Sequence, residues 1–227
     1  MVSEVFNCDC MDYMRTIPDK YFDLAIVDPP YGLNAPKMEM GGGYSNGAYS
    51  SRKRLNGGSG KLKNRILNKS DCTWDQTPPD DEYFTELFRI SKNQIIWGGN
   101  YFKLPPTRCV VVWDKVQPWE NFSQVEIAWT SFDKPAKLYK QMNGGFNSEK
   151  KIHPTQKPVE LYSYLLNKFA IPGNKIFDSH TGSGSSRIAA YEQGFDFIGC
   201  EINETYFLEE EKRFKRYAEQ GLLDFNE

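Results

Sequence analysis

The 227-residue sequence predicts an α/β protein in which a mainly parallel sheet is covered by helices on both faces. Short β-branched and aromatic runs alternate with helical patterns along the chain, which is typical of parallel strands joined by crossover helices. Two of the predicted strands also lead into turns suited to ligand binding, and open α/β sheets bind ligands at the carboxyl ends of their strands. A hydrophobic content of 39% is sufficient for the core of a single domain over residues 1–227.

Seven strands are predicted from runs of β-branched, aromatic or alternating apolar residues. They are Glu4–Asn7, Asp23–Val27, Gln94–Trp97, Cys109–Trp113, Val125–Thr130, Lys175–Phe177 and Phe195–Cys200.

Five helices are predicted between or after these strands. A short one covers Met11–Thr16, a second starts at Pro78-Pro79-Asp80, and a third is opened by Pro158. A fourth follows a glycine-rich loop and continues through Tyr191, with Gly194 as its stop, and an amphipathic helix covers Glu204–Glu219.

The net charge of −2 excludes a uniformly basic nucleic-acid coat, but the cations are unevenly distributed. An insertion loop over residues 32–70 is rich in Gly and Ser and has seven basic residues and no acid beyond residue 40. A connection of this length without secondary structure is usually functional or mobile. A second basic stretch runs from Lys134 to Lys157. Solvated surfaces remain the alternative for both stretches, but they supply these candidates for phosphate contact: Arg52, Lys53, Arg54, Lys61, Lys63, Arg65, Lys134, Lys137 and Lys140.

Cysteine usage and the N-terminus predict a reduced, cytoplasmic protein. The five cysteines are odd in number, and the first residues lack the basic and apolar regions of a signal peptide. No apolar run approaches the length needed to span a bilayer, so we expect no membrane partner. His153, His180 and the Cys8-x-Cys10 pair do not form a metal-ligand pattern, and no metal is predicted.

The most informative feature is the turn Asp28-Pro29-Pro30-Tyr31, which follows an apolar predicted strand. Because Pro30 has no amide hydrogen, this rigid turn leaves the Pro29 carbonyl as an acceptor beside the Asp28 carboxylate. Two acceptors and an aromatic face suit a planar base that carries an exocyclic amino group. An ordinary turn without a ligand is the alternative interpretation.

A second informative feature is the glycine-rich loop from Asp178 to Ser185 between a predicted strand and a helix. Glycines allow close approach of backbone to a ligand, and the helix start offers free amides. About 20 residues later the next strand ends in Glu201, which is suitably placed to accept hydrogen bonds from ribose hydroxyls. Arg187 stands where a dinucleotide fingerprint has its third glycine, which disfavours NAD.

With these two motifs and His153-Pro154-Thr155-Gln156-Lys157-Pro158 between them, the chain resembles the S-adenosylmethionine-dependent amino-methyltransferases of DNA. The catalytic turn precedes the cofactor loop, as in the circularly permuted beta group, and bacterial and phage adenine-N6 enzymes are the most similar. Trp97-Gly98-Gly99-Asn100 is also similar to a recurring segment of such enzymes. The resemblance implies a Rossmann-like methyltransferase fold, with a short target-recognition segment at residues 132–152.

The resemblance also implies roles for individual residues. Asp28, Pro29, Pro30 and Tyr31 would form the catalytic pocket, and Glu201 would hold the cofactor ribose. The full set of implied cofactor-binding residues is Asp9, Cys10, Asp28, Thr155, Lys157, Pro158, Asp178, Ser179, His180, Thr181, Gly182, Ser183, Gly184, Ser185, Glu201 and Ile202. Within it Asp9 and Cys10 would lie near the adenine, and Thr155, Lys157 and Pro158 would close over the methionine end. The chain departs from the family at Ser179-His180, where Pro-Phe or Pro-Met is usual.

The predicted activity is site-specific methylation of the adenine exocyclic amine in double-stranded DNA, with S-adenosylmethionine as the cofactor. Cytosine-N4 methylation is an alternative, although such enzymes more often have Ser in place of Asp28. A catalytically silent subunit that binds cofactor or DNA is another. The target sequence, a homodimer and a restriction endonuclease partner are left open by the sequence.

Overall fold

A computed structural model describes residues 1–34, 75–117, 123–142 and 151–224 of the chain. These residues form eight strands: β1 Ser3–Phe6, β2 Phe22–Val27, β3 Ser91–Trp97, β4 Val110–Asp114, β5 Val125–Thr130, β6 Lys137–Lys140, β7 Lys175–Asp178 and β8 Asp196–Cys200. The five helices are α1 Cys10–Arg15, α2 Asp81–Ile90, α3 Val159–Phe169, α4 Ser185–Glu192 and α5 Glu204–Asp224.

All eight strands form one sheet in the order β1-β8-β7-β2-β3-β5-β4-β6. The first five strands of this order are parallel, and β5 alone runs antiparallel to its neighbours β3 and β4. The mainly parallel α/β sheet predicted from the sequence is therefore confirmed. The predicted number of seven strands is one too low, because β6 pairs with β4 at the edge of the sheet.

Two apolar clusters lie on the two faces of the sheet. Alternate residues of the central strands point in opposite directions, so that Leu24 and Ile26 join one cluster while Ala25 and Val27 join the other. Helices α3 and α4 cover the first cluster and α1 and α2 the second. This double coverage explains why β2 and β3 are apolar along most of their length instead of alternating.

None of the helices in the described ranges is long and apolar enough to cross a membrane.

Candidate active site

The candidate site lies along the edge of the sheet that is formed by the carboxyl ends of its parallel strands, not along an outermost strand. Because β1, β8, β7, β2 and β3 are parallel, their carboxyl ends meet at the same edge. The segment after β1, Glu201 after β8, the glycine-rich loop after β7 and the Asp28 turn after β2 are thereby neighbours. The fold thus places the two principal motifs of the sequence side by side.

The turn after β2 is held by Asp75, a buried acid that is distant from the turn in the sequence. Its Oδ1 accepts hydrogen bonds from the backbone amides of Tyr31 at 2.7 Å and Gly32 at 2.9 Å. Gly32 has φ +76°, and a Cβ there would lie 2.8 Å from Pro78 Cδ, so glycine is required at this position. The backbone of the turn is consequently fixed before any ligand binds.

The Tyr31 side chain is fixed as well. Its hydroxyl donates to Asp28 Oδ1 at 2.5 Å, and its ring stacks on Tyr101 with centroids 5.1 Å apart. Gly98, with φ +69°, approaches the ring so closely that a Cβ would lie 2.3 Å from Tyr31 Cε1. Gly98 therefore makes room for the Tyr31 ring, while Gly99, where a Cβ would lie 2.5 Å from Trp129 Cβ, makes room for Trp129.

Asp28 is the first of four charges that alternate in sign. Lys157 Nζ contacts Asp28 Oδ2 and lies 3.1 Å from Glu126 Oε2, while Lys115 Nζ lies 2.5 Å from Glu126 Oε1. The side chain of Asp28 is 16% exposed and that of Lys157 is 3% exposed. Two carboxylates thus face two buried ammonium groups, and the formal charges cancel.

The pKa values of these groups follow from burial and pairing. Burial would raise the pKa of Glu126, but Lys157 and Lys115 lower it to about 2. Burial raises the pKa of Asp28 even though Lys157 opposes the change. Burial would lower the pKa of Lys157, yet Asp28 and Glu126 raise it, so this lysine stays cationic.

The histidine hexapeptide forms a compact turn that delivers Lys157. The His153 carbonyl accepts from the Gln156 amide at 3.2 Å, and His153 Nδ1 accepts from the Thr155 amide at 3.3 Å. The Lys157 carbonyl accepts from Ser185 Oγ at 2.8 Å, and Pro158 directly precedes α3. The hexapeptide is therefore bonded both to the Asp28 turn and to the glycine-rich loop.

The glycine-rich loop is supported by its own acid and by α5. Asp178 is 1% exposed and accepts from Ser186 Oγ at 2.6 Å and from the His180 amide at 3.0 Å, while burial raises its pKa to about 7. Glu210 of α5 accepts from Thr181 Oγ1 at 2.6 Å. Gly184 has φ +73°, and a Cβ there would lie 2.4 Å from Glu210 Cγ. Asp178 thus stabilises the loop through hydrogen bonds to loop residues, and Glu210 stabilises it from helix α5.

The departure at Ser179-His180 is accommodated by a chain of polar contacts. The Tyr83 hydroxyl of α2 is 2.7 Å from Ser179 Oγ, which is 2.8 Å from His180 Nδ1. On its other side His180 Nε2 lies 4.0 Å from Cys10 Sγ. Burial lowers the pKa of His180 to about 4, so the ring is neutral at physiological pH. A neutral ring thus occupies the position where the family usually has an apolar side chain.

Glu201 is fixed by two backbone amides. Its Oε2 accepts from Gly182 at 2.9 Å and its Oε1 from Asn203 at 2.8 Å, and the residue is 8% exposed. Each oxygen keeps lone pairs for a further donor. Asp9 is used as the N-cap of α1, where it accepts from Met11 at 2.7 Å, and Ile202 is 64% exposed beside Glu201. The predicted cofactor residues are therefore gathered on one edge.

The predicted DNA-contacting lysines are divided by the fold. Lys140 ends β6 at the same edge of the sheet as Asp28, 3.7 Å from Asp114, and Lys137 begins this strand. Lys134 lies at the opposite edge, where its Nζ is 3.5 Å from the Lys168 carbonyl in the last turn of α3. Six further candidates, Arg52, Lys53, Arg54, Lys61, Lys63 and Arg65, lie outside the described residues.

Sequence reasoning missed Asp75, Lys115, Glu126 and Glu210 as site residues. Each is remote from the motifs along the chain and reaches them only through the tertiary fold. The one feature that they share is a charged side chain that the fold buries wholly or in part. This burial cannot be recognised before the fold is known. Among the described residues no group of three or more His, Cys, Asp or Glu could hold a metal ion.

Comparisons with known proteins show the family of the chain. A family described as DNA methylase matches residues 96–212. The type II methyltransferase M2.MboI of Moraxella bovis is 22% identical over 95% of this chain and 87% of that protein. The type II methyltransferase M2.LlaDCHI of Lactococcus lactis subsp. cremoris is 26% identical over 70% of this chain and 54% of that protein.

Solved structures share the fold over nearly the whole chain. The M1.HpyAVI–SAM complex has a TM-score of 0.56 at 17% identity and covers 94% of this chain and 98% of its own. TTHA0409 of Thermus thermophilus, complexed with S-adenosyl-L-methionine, has a TM-score of 0.56 at 14% identity, with 95% and 94% covered. The cytosine-N4-specific PvuII DNA methyltransferase has a TM-score of 0.59 at 12% identity, with 96% and 91% covered. The Rossmann-like methyltransferase fold predicted from the sequence is thereby confirmed.

Proposed function

The chain belongs to the DNA methylase family, and from this membership we propose that it transfers a methyl group from S-adenosylmethionine to the exocyclic amine of adenine in DNA. The observation that carries the proposal is the position of Asp28 and Tyr31. They lie at the end of β2, next to the glycine-rich loop at the end of β7. A base with an exocyclic amine and a methyl donor would meet between these two turns.

The residues at this edge fit S-adenosylmethionine. The two Glu201 oxygens, held by backbone amides, present lone pairs suited to a ribose diol. Gly182 has φ +54°, and its missing Cβ leaves the loop backbone open toward the His153 ring. Proteins of the same fold, M1.HpyAVI and TTHA0409, have been solved with this cofactor. Bound there, it would supply a methyl group on a positively charged sulfur.

The protein's contribution to the reaction is to bind and orient the amine. The lone pair of an adenine amine is delocalised into the ring, which makes the nitrogen a poor nucleophile. Hydrogen bonds from the amine to Asp28 and to the Pro29 carbonyl favour a tetrahedral nitrogen whose lone pair is free. This lone pair forms the bond to the methyl carbon, and the carbon–sulfur bonding pair returns to sulfur. The nitrogen then loses one proton to Asp28, and no metal or covalent intermediate is needed.

A base inside a duplex is unreachable for this chemistry, so the target nucleotide must be flipped out. Tyr31 would then stack on the flipped base. Lys140 supplies a cation for DNA phosphates near the same edge, and the seven basic residues of the insertion would supply further phosphate contacts.

Cytosine-N4 methylation is the second candidate, because the PvuII enzyme of that specificity has the same fold. Asp28 favours adenine, since cytosine enzymes of this kind more often have Ser at that position. The similarity to two type II methyltransferases supports a role in site-specific DNA modification. We also propose a restriction endonuclease as a partner.

The test is product analysis. The protein is incubated with duplex DNA and S-adenosylmethionine carrying a labelled methyl group, and the DNA is digested to nucleosides and separated. We expect label in N6-methyldeoxyadenosine from the native chain and about 10²–10³ times slower labelling from the Asp28→Ala variant. Label in N4-methyldeoxycytidine would replace adenine by cytosine as the target, and unlabelled DNA would contradict the proposal.

A further inference from the structure

The Lys157 ammonium lies between two carboxylates that it can reach without moving its backbone. It contacts Asp28 Oδ2 and lies 3.1 Å from Glu126 Oε2, while its carbonyl is held by Ser185 Oγ at 2.8 Å. The Lys157 side chain is only 3% exposed, so its charge depends on these two carboxylates more than on water. The rings of Trp97 and Tyr31 flank the ammonium, with centroids 5.3 and 5.8 Å from Nζ.

The contact with Asp28 opposes the proposed reaction. Asp28 Oδ1 already accepts from Tyr31, and Oδ2 is covered by the lysine, so an entering amine meets a carboxylate whose charge is neutralised. The amine nitrogen also becomes positive as it forms its bond to carbon. A second cation on the same carboxylate would repel that developing charge in a site where water screens little.

We infer that Glu126 is a positioning residue that draws Lys157 away from Asp28 when the target amine enters the pocket. This inference rests on the proposed function. With Lys157 on Glu126, Asp28 recovers its full negative charge for the amine. With the pocket empty, Lys157 returns and neutralises an otherwise buried charge.

Lys115 sets how strongly Glu126 attracts Lys157. Its Nζ lies 2.5 Å from Glu126 Oε1 and its side chain is 5% exposed, so the two lysines share one carboxylate. Removal of the Lys115 charge leaves Glu126 with more attraction for Lys157. Removal of the Glu126 charge leaves Lys157 on Asp28. The two changes therefore act in opposite directions on the same step.

The experiment compares Glu126→Gln, Lys115→Met and the double variant with the native chain. The double variant loses one anion and one cation, so its buried charges remain balanced even if Glu126→Gln alone folds poorly. We measure kcat with saturating S-adenosylmethionine, the Kd for the target duplex without cofactor, and the thermal unfolding midpoint.

We expect Glu126→Gln and the double variant to lose at least tenfold in kcat while the Kd for duplex changes less than twofold. Lys115→Met is expected to raise kcat about twofold or more. Native kcat in a folded Glu126 variant, or a loss in Lys115→Met as large as that in Glu126→Gln, would overturn the inference. A native chain that methylates no DNA contradicts the proposed function instead, which keeps the two failures apart.

Discussion

Asp28 is the residue on which the proposed chemistry depends most directly. Replacing it by Ala removes one of the two acceptors for the target amine, so we expect single-turnover methyl transfer to fall by about 10²–10³. Calorimetry should show nearly native affinity for S-adenosylmethionine, because Asp178 and Glu201 support the cofactor loop separately.

The matched control for Asp28→Ala is Asp23→Ala, since Asp23 lies on the same strand at the opposite edge and pairs with Lys92 at 2.6 Å. That variant should keep its methyl transfer. Nearly native turnover in Asp28→Ala would remove this residue from the pocket.

Tyr101 occupies a face of Tyr31 that a flipped base could use. The two rings stack at 5.1 Å, yet Tyr101 is 46% exposed and can leave. We expect the equilibrium constant for flipping of the target base to rise by a factor of about 2–10 in Tyr101→Ala. The reason is that an aromatic pair contributes about 0.5–1.5 kcal/mol beyond its buried area. The measurement is the fluorescence rise of 2-aminopurine at the target position.

Tyr101→Phe keeps the stacked ring and should behave like the native chain in this assay. Lower fluorescence in Tyr101→Ala would instead make Tyr101 a second wall that holds the flipped base.

At the residue scale, the sequence was informative where a chemical role needs a local pattern. The Asp28 turn, the hexapeptide and the glycine-rich loop could be recognised because backbone conformation and ligand contact are specified by neighbouring residues. The partners of Asp28 could not, since Glu126 in β5 and Lys115 after β4 reach Lys157 only when the sheet has formed.

Among the elements, α5 has a role that its charged surface conceals. Glu210 is fully buried behind the glycine-rich loop, with Thr181 donating to it and Arg187 3.8 Å away. Burial raises its pKa from the usual 4.5 to about 8, although Thr181 and Arg187 oppose the change. The contact between α5 and the loop therefore depends on whether Glu210 is protonated.

This proton predicts a pH dependence of stability. Because the folded state holds the Glu210 proton more tightly than the unfolded state, its contribution is complete below pH 4.5 and is lost as the pH rises to about 8. The contribution is up to about 5 kcal/mol, since one pKa unit corresponds to about 1.4 kcal/mol. Urea unfolding of the native chain and Glu210→Gln at pH 5 and pH 8 measures it.

Glu210→Gln cannot ionise and should lose less stability than the native chain between these two pH values. Equal losses would show that Glu210 does not hold the proton. Asp178 and Glu201 raise the pKa of Glu210 through their negative charge, so the difference between the two losses includes their coupling to Glu210.

The elements themselves were largely predictable, and the exception has a physical cause. Six predicted strands agree with the structure to within one residue at each end, and β3 starts three residues earlier than expected. Most of these strands are apolar and lie inside the sheet, although β1 is an edge strand. Strand β6 was missed because Lys137-Leu138-Tyr139-Lys140 is short and charged, pairs with one neighbour, and leaves Leu138 57% exposed. Such an edge strand is stabilised by its partner more than by its own composition.

For the whole molecule, the two edges of the sheet differ in the charged groups that they carry. The edge with the candidate site carries Asp28 and Lys140, whereas Lys134 is placed at the other edge. We expect neutralisation of Arg52, Lys53 and Arg54 to weaken DNA binding and to reduce its salt slope by about two to three, at roughly 0.9 per lost phosphate contact. Titrations with duplex at several salt concentrations measure this slope.

Lys134→Gln is the control for this titration and should leave the salt slope unchanged. An unchanged slope in the triple variant would exclude those three residues from the interface and direct attention to Lys137 and Lys140. Cofactor affinity should hardly change in either protein.

The hydrogen bond between the Asn34 amide and the Asp75 carbonyl, 2.8 Å long, joins the two points between which residues 35–74 are inserted. Asp75 also fixes Tyr31, so the Asp28 turn is held by residues that lie outside the inserted segment. Closure entropy grows only slowly with the length of a connection, so segments of different length can be exchanged at such a junction at little thermodynamic cost. The position is therefore a natural graft site, at which evolution or an engineer could exchange the inserted segment while Asp75 and the Asp28 turn are inherited intact.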